Sequence, residues 1–307
     1  AAAARAPRPA NVARKPASEL TRNAKTPAER FDSRHKATGK QVFTIDLRLP
    51  GMLVAVVARP PRFGGTVASF DATRARAVRG VVDVVRIARG VAVVAENSWA
   101  AIKGREALSV TWNEDRAEKR GTAELRRAYL EAAGRPGTQA ANRGDANAAI
   151  GRAARVIEAT YEFPYLAHAA IEPLDCVVRR ASDGGIEVWG GHQMPDIYQT
   201  IAAQIAEVTP DRVKMHVMKS GGGFGRRAVL DGDVVAEAVS TAKAIGWRAP
   251  VKLLWTREDD MAGGRYRPMF VHRVRVGLDA AGAIAGWHHR IVGQSIVAGT
   301  PFEGGMV

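Results

Sequence analysis

The stretch VMKSGGGFGRRAVLDGD, Val217 to Asp233, sets three glycines, a phenylalanine, a fourth glycine and two arginines between a run with strand-like alternation and one with helical periodicity. Glycines are placed this densely where backbone must approach something closely or take positive φ. A strand, a glycine-rich loop and a helix in that order make an anion site, because loop N–H groups and the helix N-terminus converge on one place. Two common nucleotide loops are excluded. The pattern GxxxxGK[ST] fails because no Lys-Ser/Thr pair follows. The pattern GxGxxG fails because the sixth place is Arg226 counted from Gly221 and Ala228 counted from Gly223. Arg226 and Arg227 then stand at the loop exit as candidate bidentate phosphate donors, and the spacing leaves open which of them points inward. The bland alternative is a tight structural turn.

Around this loop the pattern predicts an α+β fold. Upstream, RVIEATYEFPYLAH, IEPLDCVVRR and GIEVWGG read as strands, the last two forming a hairpin through residues 181–185. A helix starts at Pro195, and Val213, Met215 and Val217 mark the strand entering the loop. Downstream, AVLDGDVVAEAVSTAKAIG reads as a helix ended by Gly246. PVKLLWT follows as a buried strand, then FVHRVRVGLD and AIAGWHHRIV as a hairpin turning at residues 279–282. Nearer the N-terminus, QVFTIDLRLPGMLVAVVARPP reads as two β-rich runs around Leu49-Pro50-Gly51. The segment 41–114 then gives the order β-β-α-β-β-α-β, with short helices capped at Asp71 and begun at Ser98. Residues 115–153 read as a connecting segment with one good helix, Ala123 to Ala133.

Composition bounds the rest. The 307 residues suffice for two ordinary domains, and 46% apolar with 25% charged residues is globular usage. No apolar run reaches the roughly 20 residues of a membrane span. The net charge of +14 is uneven: residues 1–40 hold ten Lys+Arg against Glu19, Glu29 and Asp32, so half the excess lies in a segment too poor in apolar residues to form a core. Neither a reader motif nor a basic stripe with interleaved aromatics accompanies it, so a solvated linker is favoured over a nucleic-acid interface. Cys176 is the only cysteine, in an apolar run that suits a small buried residue. No internal disulfide or CxxC metal site is therefore available, and any iron–sulfur cluster must sit on another chain. The N-terminus lacks both an initiator Met and an apolar leader, and the chain stops at GTPFEGGMV; both ends read as cuts inside a longer protein. The compartment stays open between periplasm and cytoplasm.

The span from Tyr161 to Gly293 resembles the molybdenum-binding subunit of the xanthine dehydrogenase/aldehyde oxidase family. YLAHAAIEPLDCVV is similar to that family's strand ending in a glutamate. VWGGHQMPDIYQTIAAQIAEVTPDRVKMHVMKSGGGFGRR is similar to its continuous run from a glutamine loop to the GGGFG loop. GGGFGRR, in place of the GGGFGGKE of xanthine dehydrogenases, resembles the isoquinoline 1-oxidoreductase beta-subunit branch. Residues 31–114, including FDSRHKATGKQVFTIDLRLPGML, resemble the family's hammerhead α/β domain. The resemblance implies four segments: a basic tail (1–30), the hammerhead domain (31–114), a connecting segment (115–153) and the first part of the molybdopterin-binding α+β domain (154–307), truncated.

The resemblance also implies roles. Gln193 would hydrogen-bond an oxygen on molybdenum, its amide offering donor and acceptor without net charge. Gly222, Gly223, Phe224 and Gly225 would bring backbone N–H groups to the metal and pterin, with Arg226 and Arg227 near the dinucleotide. No residue of this chain would bind the metal directly. The implied cofactor is molybdopterin cytosine dinucleotide with Mo. The implied partners are a small subunit carrying [2Fe–2S] clusters, the rest of the large subunit, and an N-heteroaromatic or aldehyde substrate that is hydroxylated with water-derived oxygen. The purine-orienting glutamate of xanthine-type enzymes falls on Ala228, which argues against a purine. The family's catalytic glutamate belongs to a C-terminal region beyond this sequence, so no general base is assigned and the 307 residues alone are expected to be inactive.

Other candidates carry bland readings. Glu172 reads as a carboxylate holding a loop rather than a base. His168 and His192 read as hydrogen-bonded structural groups. His288 and His289 are neighbours on a strand and point to opposite faces, which argues against joint chelation. Trp255, Trp287 and Phe270 read as core positions of strands, and Arg257, Glu258 and Asp259 as helix-capping charge. Two other functions remain in view: an inactive interaction or assembly module of such a complex, and a basic nucleic-acid-binding protein.

Overall fold

A computed structural model describes residues 30–298, together with Pro16 and Glu303. The expectation of an extended tail over residues 1–30 lies almost wholly outside the described residues. In the first of two compact units, residues 1–41, a short helix α1 (Ser33–Ala37) follows Asp32, whose carboxylate pairs with Lys36 at 2.7 Å.

The second unit, residues 42–307, holds every strand among the described residues. In chain order these are β1 (Leu53–Ala58), β2 (Thr66–Asp71), α2 (Thr73–Arg76), β3 (Val81–Ile87), β4 (Gly90–Ala95), α3 (Ser98–Ala107), β5 (Ser109–Asn113), α4 (Thr122–Ala133), α5 (Ala146–Gly151) and β6 (Arg155–Phe163). There follow β7 (Asp175–Arg180), β8 (Ile186–Gly190), α6 (Pro195–Ala206), β9 (Val213–Val217), α7 (Asp233–Ala244), β10 (Val251–Leu254), α8 (Arg257–Ala262), β11 (Phe270–Leu278) and β12 (Ile284–Gly293).

Seven strands form one mixed sheet in the order β3-β4-β1-β10-β7-β8-β9, with β1/β10 and β8/β9 parallel and the other pairs antiparallel. Its middle is buried on both faces, and the side chains sort by alternation. Ala55, Val57, Ala92 and Val94 pack with α6 and α7, while Val56, Val91, Val93 and Ala95 pack with α2 and α3. Each buried valine contributes roughly 1.5–3 kcal/mol through area removed from water, so the unbroken burial of β4 and of Val54 to Val57 makes this the anchor of the fold.

The sheet crosses the boundary expected between residues 114 and 154. Leu53 pairs with Val251, so the segment expected to form a separate N-terminal domain shares its central strands with the cofactor-binding segment. The first β-rich run expected before Leu49 is instead a 3₁₀ turn, Thr44–Asp46, closed by Phe43 N–H donating to Asp46. The run after Gly51 is β1. The additional strand is β2, which ends at Asp71 and pairs with β5 in a small ribbon. Asp71 accepts from Thr73 N–H at 2.9 Å, but the cap of α2 is Ala72, one residue after the expected Asp71. The helix expected from Ala228 begins five residues later, at Asp233, because Gly225 and Gly232 take positive φ. The other strands and helices read from the sequence fall where the patterns put them, while α1, α5 and α8 are additional short helices. β6, β11 and β12 make a third, antiparallel sheet.

Candidate functional site

The glycine loop leaves β9 and turns back on itself between Glu172 on one side and Gln193 on the other. Gly221 N–H donates to Glu172 Oε2 at 2.7 Å, and Glu172 N–H donates to the Gly221 carbonyl at 3.1 Å. A methyl group on Gly221 would sit 2.5 Å from Glu172 Cβ, which only glycine avoids. Glu172 is buried, and its other oxygen accepts from Ile45 N–H at 3.2 Å, so the 3₁₀ turn before β1 buttresses the loop. The residues before it are pinned by Arg257, which donates to the Ala170 and Ile171 carbonyls at 2.6 and 2.9 Å and pairs with Asp260 at 2.8 Å. Asp259 takes the capping role read from the sequence, accepting from Thr256 N–H at the start of α8.

Both arginines point inward. Arg226 is 3% exposed and grips Asp233 through two nitrogens at 3.2 and 2.7 Å, with Trp255 beneath its guanidinium. Arg227 is 2% exposed and donates to the Gly222 carbonyl and the Glu172 carbonyl, each at 2.9 Å, and to Glu172 Oε2 at 3.3 Å. Its remaining nitrogen lies 3.6 Å from Asp175. The expected phosphate donors are therefore committed inside the protein, where two buried charges persist only when paired. The start of α7 is likewise closed, since Asp233, Val234 and Val235 are buried there. Sequence reasoning could not see this: an arginine beside glycines looks the same whether it faces a ligand or a buried acid 55 residues earlier.

The outward side of the loop is the reverse. The Gly222, Gly223 and Gly225 carbonyls accept from Arg227 Nε, Arg226 N–H and Ala228 N–H. The N–H groups of Gly222, Gly223, Phe224 and Gly225 donate to no acceptor among the described residues. Phe224 sits at φ 52°, a conformation costly for a side-chain-bearing residue, and is 74% exposed. Gln193 faces this row: a methyl on Gly223 would come within 2.8 Å of its Oε1, its N–H is fixed by the Arg227 carbonyl at 3.0 Å, and its side-chain amide has no protein partner among the described residues. The sequence-derived pairing of Gln193 with Gly223 and Phe224 is thus one surface of uncommitted donors. That donor set fits a group rich in oxygen and sulfur acceptors.

Titratable neighbours stay behind the loop. Burial, and then the Arg227 charge, push His192 down to about 4, so it is neutral at physiological pH, packed edge-on to Tyr198. Burial also lowers His168, with Arg226 adding to it. Asp175 is fully buried and pushed up to about 8 by burial and the neighbouring Glu172, against the pull of Arg227. Burial raises the Cys176 thiol, which is inert packing as expected. Trp255 is core, donating to the buried Glu237 at 2.9 Å, whereas Trp287 is exposed, contrary to its core reading. His288 and His289 do alternate in β12, but His289 meets His272 of β11 at 2.9 Å, a cross-strand pairing the sequence did not reveal. Among the described residues no group of three or more His, Cys, Asp or Glu could hold a metal ion. No helix among them is long and apolar enough to cross a membrane.

Fold and loop together define a domain with a row of uncommitted backbone donors at its surface. Residues 131–299 match the model of the molybdopterin cofactor-binding domain, and the chain belongs to that family. Over 94% of its length it is 30% identical to the membrane-bound aldehyde dehydrogenase [pyrroloquinoline-quinone] of Gluconacetobacter polyoxogenes, and over 88% it is 31% identical to isoquinoline 1-oxidoreductase subunit beta of Brevundimonas diminuta. It spans only 40% and 36% of those relatives' lengths. Quinoline 2-oxidoreductase from Pseudomonas putida 86 shares the fold, with a TM-score of 0.70 at 19% identity, covering 86% of this chain and 38% of that one.

Proposed function

We propose that this chain is the part of a molybdenum hydroxylase large subunit that holds one side of the molybdopterin site, in the form of the cytosine dinucleotide. The observation that carries the reading is the division of the loop: carbonyls and arginines turned inward, four N–H groups and the Gln193 amide left outward. Gln193, Gly222, Gly223, Phe224 and Gly225 would hold the cofactor. Arg226 and Arg227 would act one step back, fixing the loop against Asp233 and Glu172. When bound, the cofactor supplies two-electron oxidation in which the product oxygen comes from water. The chain's own contribution is orientation: a loop rigidified from behind loses little order when its donors engage.

Residues 31–114 would correspond to the hammerhead domain, although their central strands complete the seven-stranded sheet. Electrons would leave to [2Fe–2S] clusters on a small partner subunit, in keeping with a chain whose one cysteine is buried. The substrate would be an N-heteroaromatic or an aldehyde, the chemistry named for its two relatives. Ala228 offers no carboxylate to a purine, and Glu172 beside the loop is consumed by Gly221, Ile45 and Arg227. One relative carries pyrroloquinoline quinone in its name; the matched domain model supports molybdopterin instead. No general base is assigned among these residues.

The test is metal and pterin analysis of the full-length subunit produced with its small subunit under molybdenum-replete conditions. Near-stoichiometric molybdenum, with pterin and released CMP, is expected. Absence of both molybdenum and pterin overturns the proposal.

A further inference from the structure

The β6–β11–β12 sheet has one filled face and one bare face. Directly opposed residues of antiparallel strands share a face, so the register sorts them. One face carries Glu158, Glu162, Arg275 and Arg290, with Gly277 and Gly286. That face is occupied by this chain: Gly277 and Gly286 lie against Ile150 of α5, Arg290 donates to the Ala133 carbonyl of α4, and Arg126 of α4 pairs with Glu162. The other face runs in rows, Tyr161–His272–Ile291 and Ile157–Val276–Trp287, with Phe163 beside Phe270. Ile157, Tyr161, Phe163, Trp287 and Ile291 are 41–55% exposed there.

A largely apolar face of this kind, interrupted only by the paired His272 and His289 near its centre, marks an interaction surface rather than a solvated one. We infer that this face is the seat for the remainder of the same large subunit, the part that the relatives possess and this chain does not span. Three observations select that occupant. Roughly three fifths of each relative's length lies outside the matched span, an amount able to bury such a face. The face offers no acid, and its only Lys or Arg is Arg155 at one end, so it suits an apolar layer of the same fold rather than a charged partner. The chain's net charge of +14 opposes stacking of two copies. The inference uses the partial span of the relatives and not the cofactor reading.

Single cysteines test it cleanly, because the native Cys176 is buried and its thiol unreactive. Ile157→Cys, Trp287→Cys and Ile291→Cys are labelled with a thiol reagent, each rate being compared with that of the same variant unfolded in urea. In the 307-residue chain all three are expected to label within tenfold of the unfolded rate at every protein concentration. In the full-length subunit purified alone, at least two of the three are expected to slow a further tenfold or more. Equal rates in the two proteins overturn the proposal. So does protection in the 307-residue chain that grows with concentration, which would make a second copy the occupant. Protection of the full-length subunit that arises only on adding the iron–sulfur subunit also overturns it. Molybdenum plays no part in the readout, so failure of the cofactor reading leaves this test standing.

Discussion

The two sides of the loop from Gly221 to Ala228 are built from one run of sequence and do opposite work. Its inward side is saturated: Glu172 accepts from Ile45, Gly221 and Arg227, while Arg226 and Asp233 close on each other under Trp255. Its outward side is left unsatisfied, with four N–H groups, an exposed Phe224 at positive φ and a free Gln193 amide. The lesson is one of division. Stability should depend on the inward side and cofactor retention on the outward side, so substitutions on the two sides should separate these properties.

The largest effect is expected from Arg227→Met. It leaves Glu172 buried without its cation, and unfolding free energy should fall by about 3–5 kcal/mol, measured by denaturant titration. Adding Glu172→Gln to that variant should recover part of the loss; no recovery would break the assignment of the pair. Next comes acid pH. Because His192 titrates near 4 when folded and near 6.5 when unfolded, the unfolded chain takes up a proton first as pH falls. The stability this group contributes is therefore complete above about 6.5 and is lost as pH drops towards 4, by on the order of 3 kcal/mol. His192→Gln should flatten that limb of the stability–pH curve.

Gly221→Ala should cost about 1–3 kcal/mol, since the methyl meets both Cβ and the backbone nitrogen of Glu172. A melting temperature equal to that of the parent would show that the loop yields easily. On the outward side, Gln193→Ala should change stability by less than about 0.5 kcal/mol yet lower the molybdenum and pterin content of the full-length complex. Phe224→Gly should raise stability slightly, by up to about 1 kcal/mol from relieved strain. If Gln193→Ala destabilised as much as Arg227→Met, the division between the two sides would be lost.

Much of the fold was legible. β7, β8, β9 and the β11–β12 hairpin follow from alternation, and α4 and α6 from helical periodicity with Gly121 and Pro195 at their starts. These are local signals. The 3₁₀ turn at Thr44–Asp46 was not legible, because Val42, Phe43 and Ile45 imitate a strand while the Ile45 backbone serves Glu172 and Lys252. Trp287 was misplaced because alternation reveals which residues share a face, not whether anything covers it. Within the site, the Gln193–Phe224 pairing came from family resemblance and the role of Glu172 from the bland reading. The burial of Arg226 and Arg227 came from neither.

By itself the sequence determined the strands, the helices, the turn at the glycines and the absence of any cysteine pair, since each depends on φ/ψ preference or on composition within a few residues. Only the tertiary structure decided that β1 lies beside β10, that both arginines face acids inside the protein, and that the loop's N–H groups meet no acceptor among the described residues. Those outcomes depend on which distant segment wins a buried position. That competition is settled by packing and charge pairing across the whole chain.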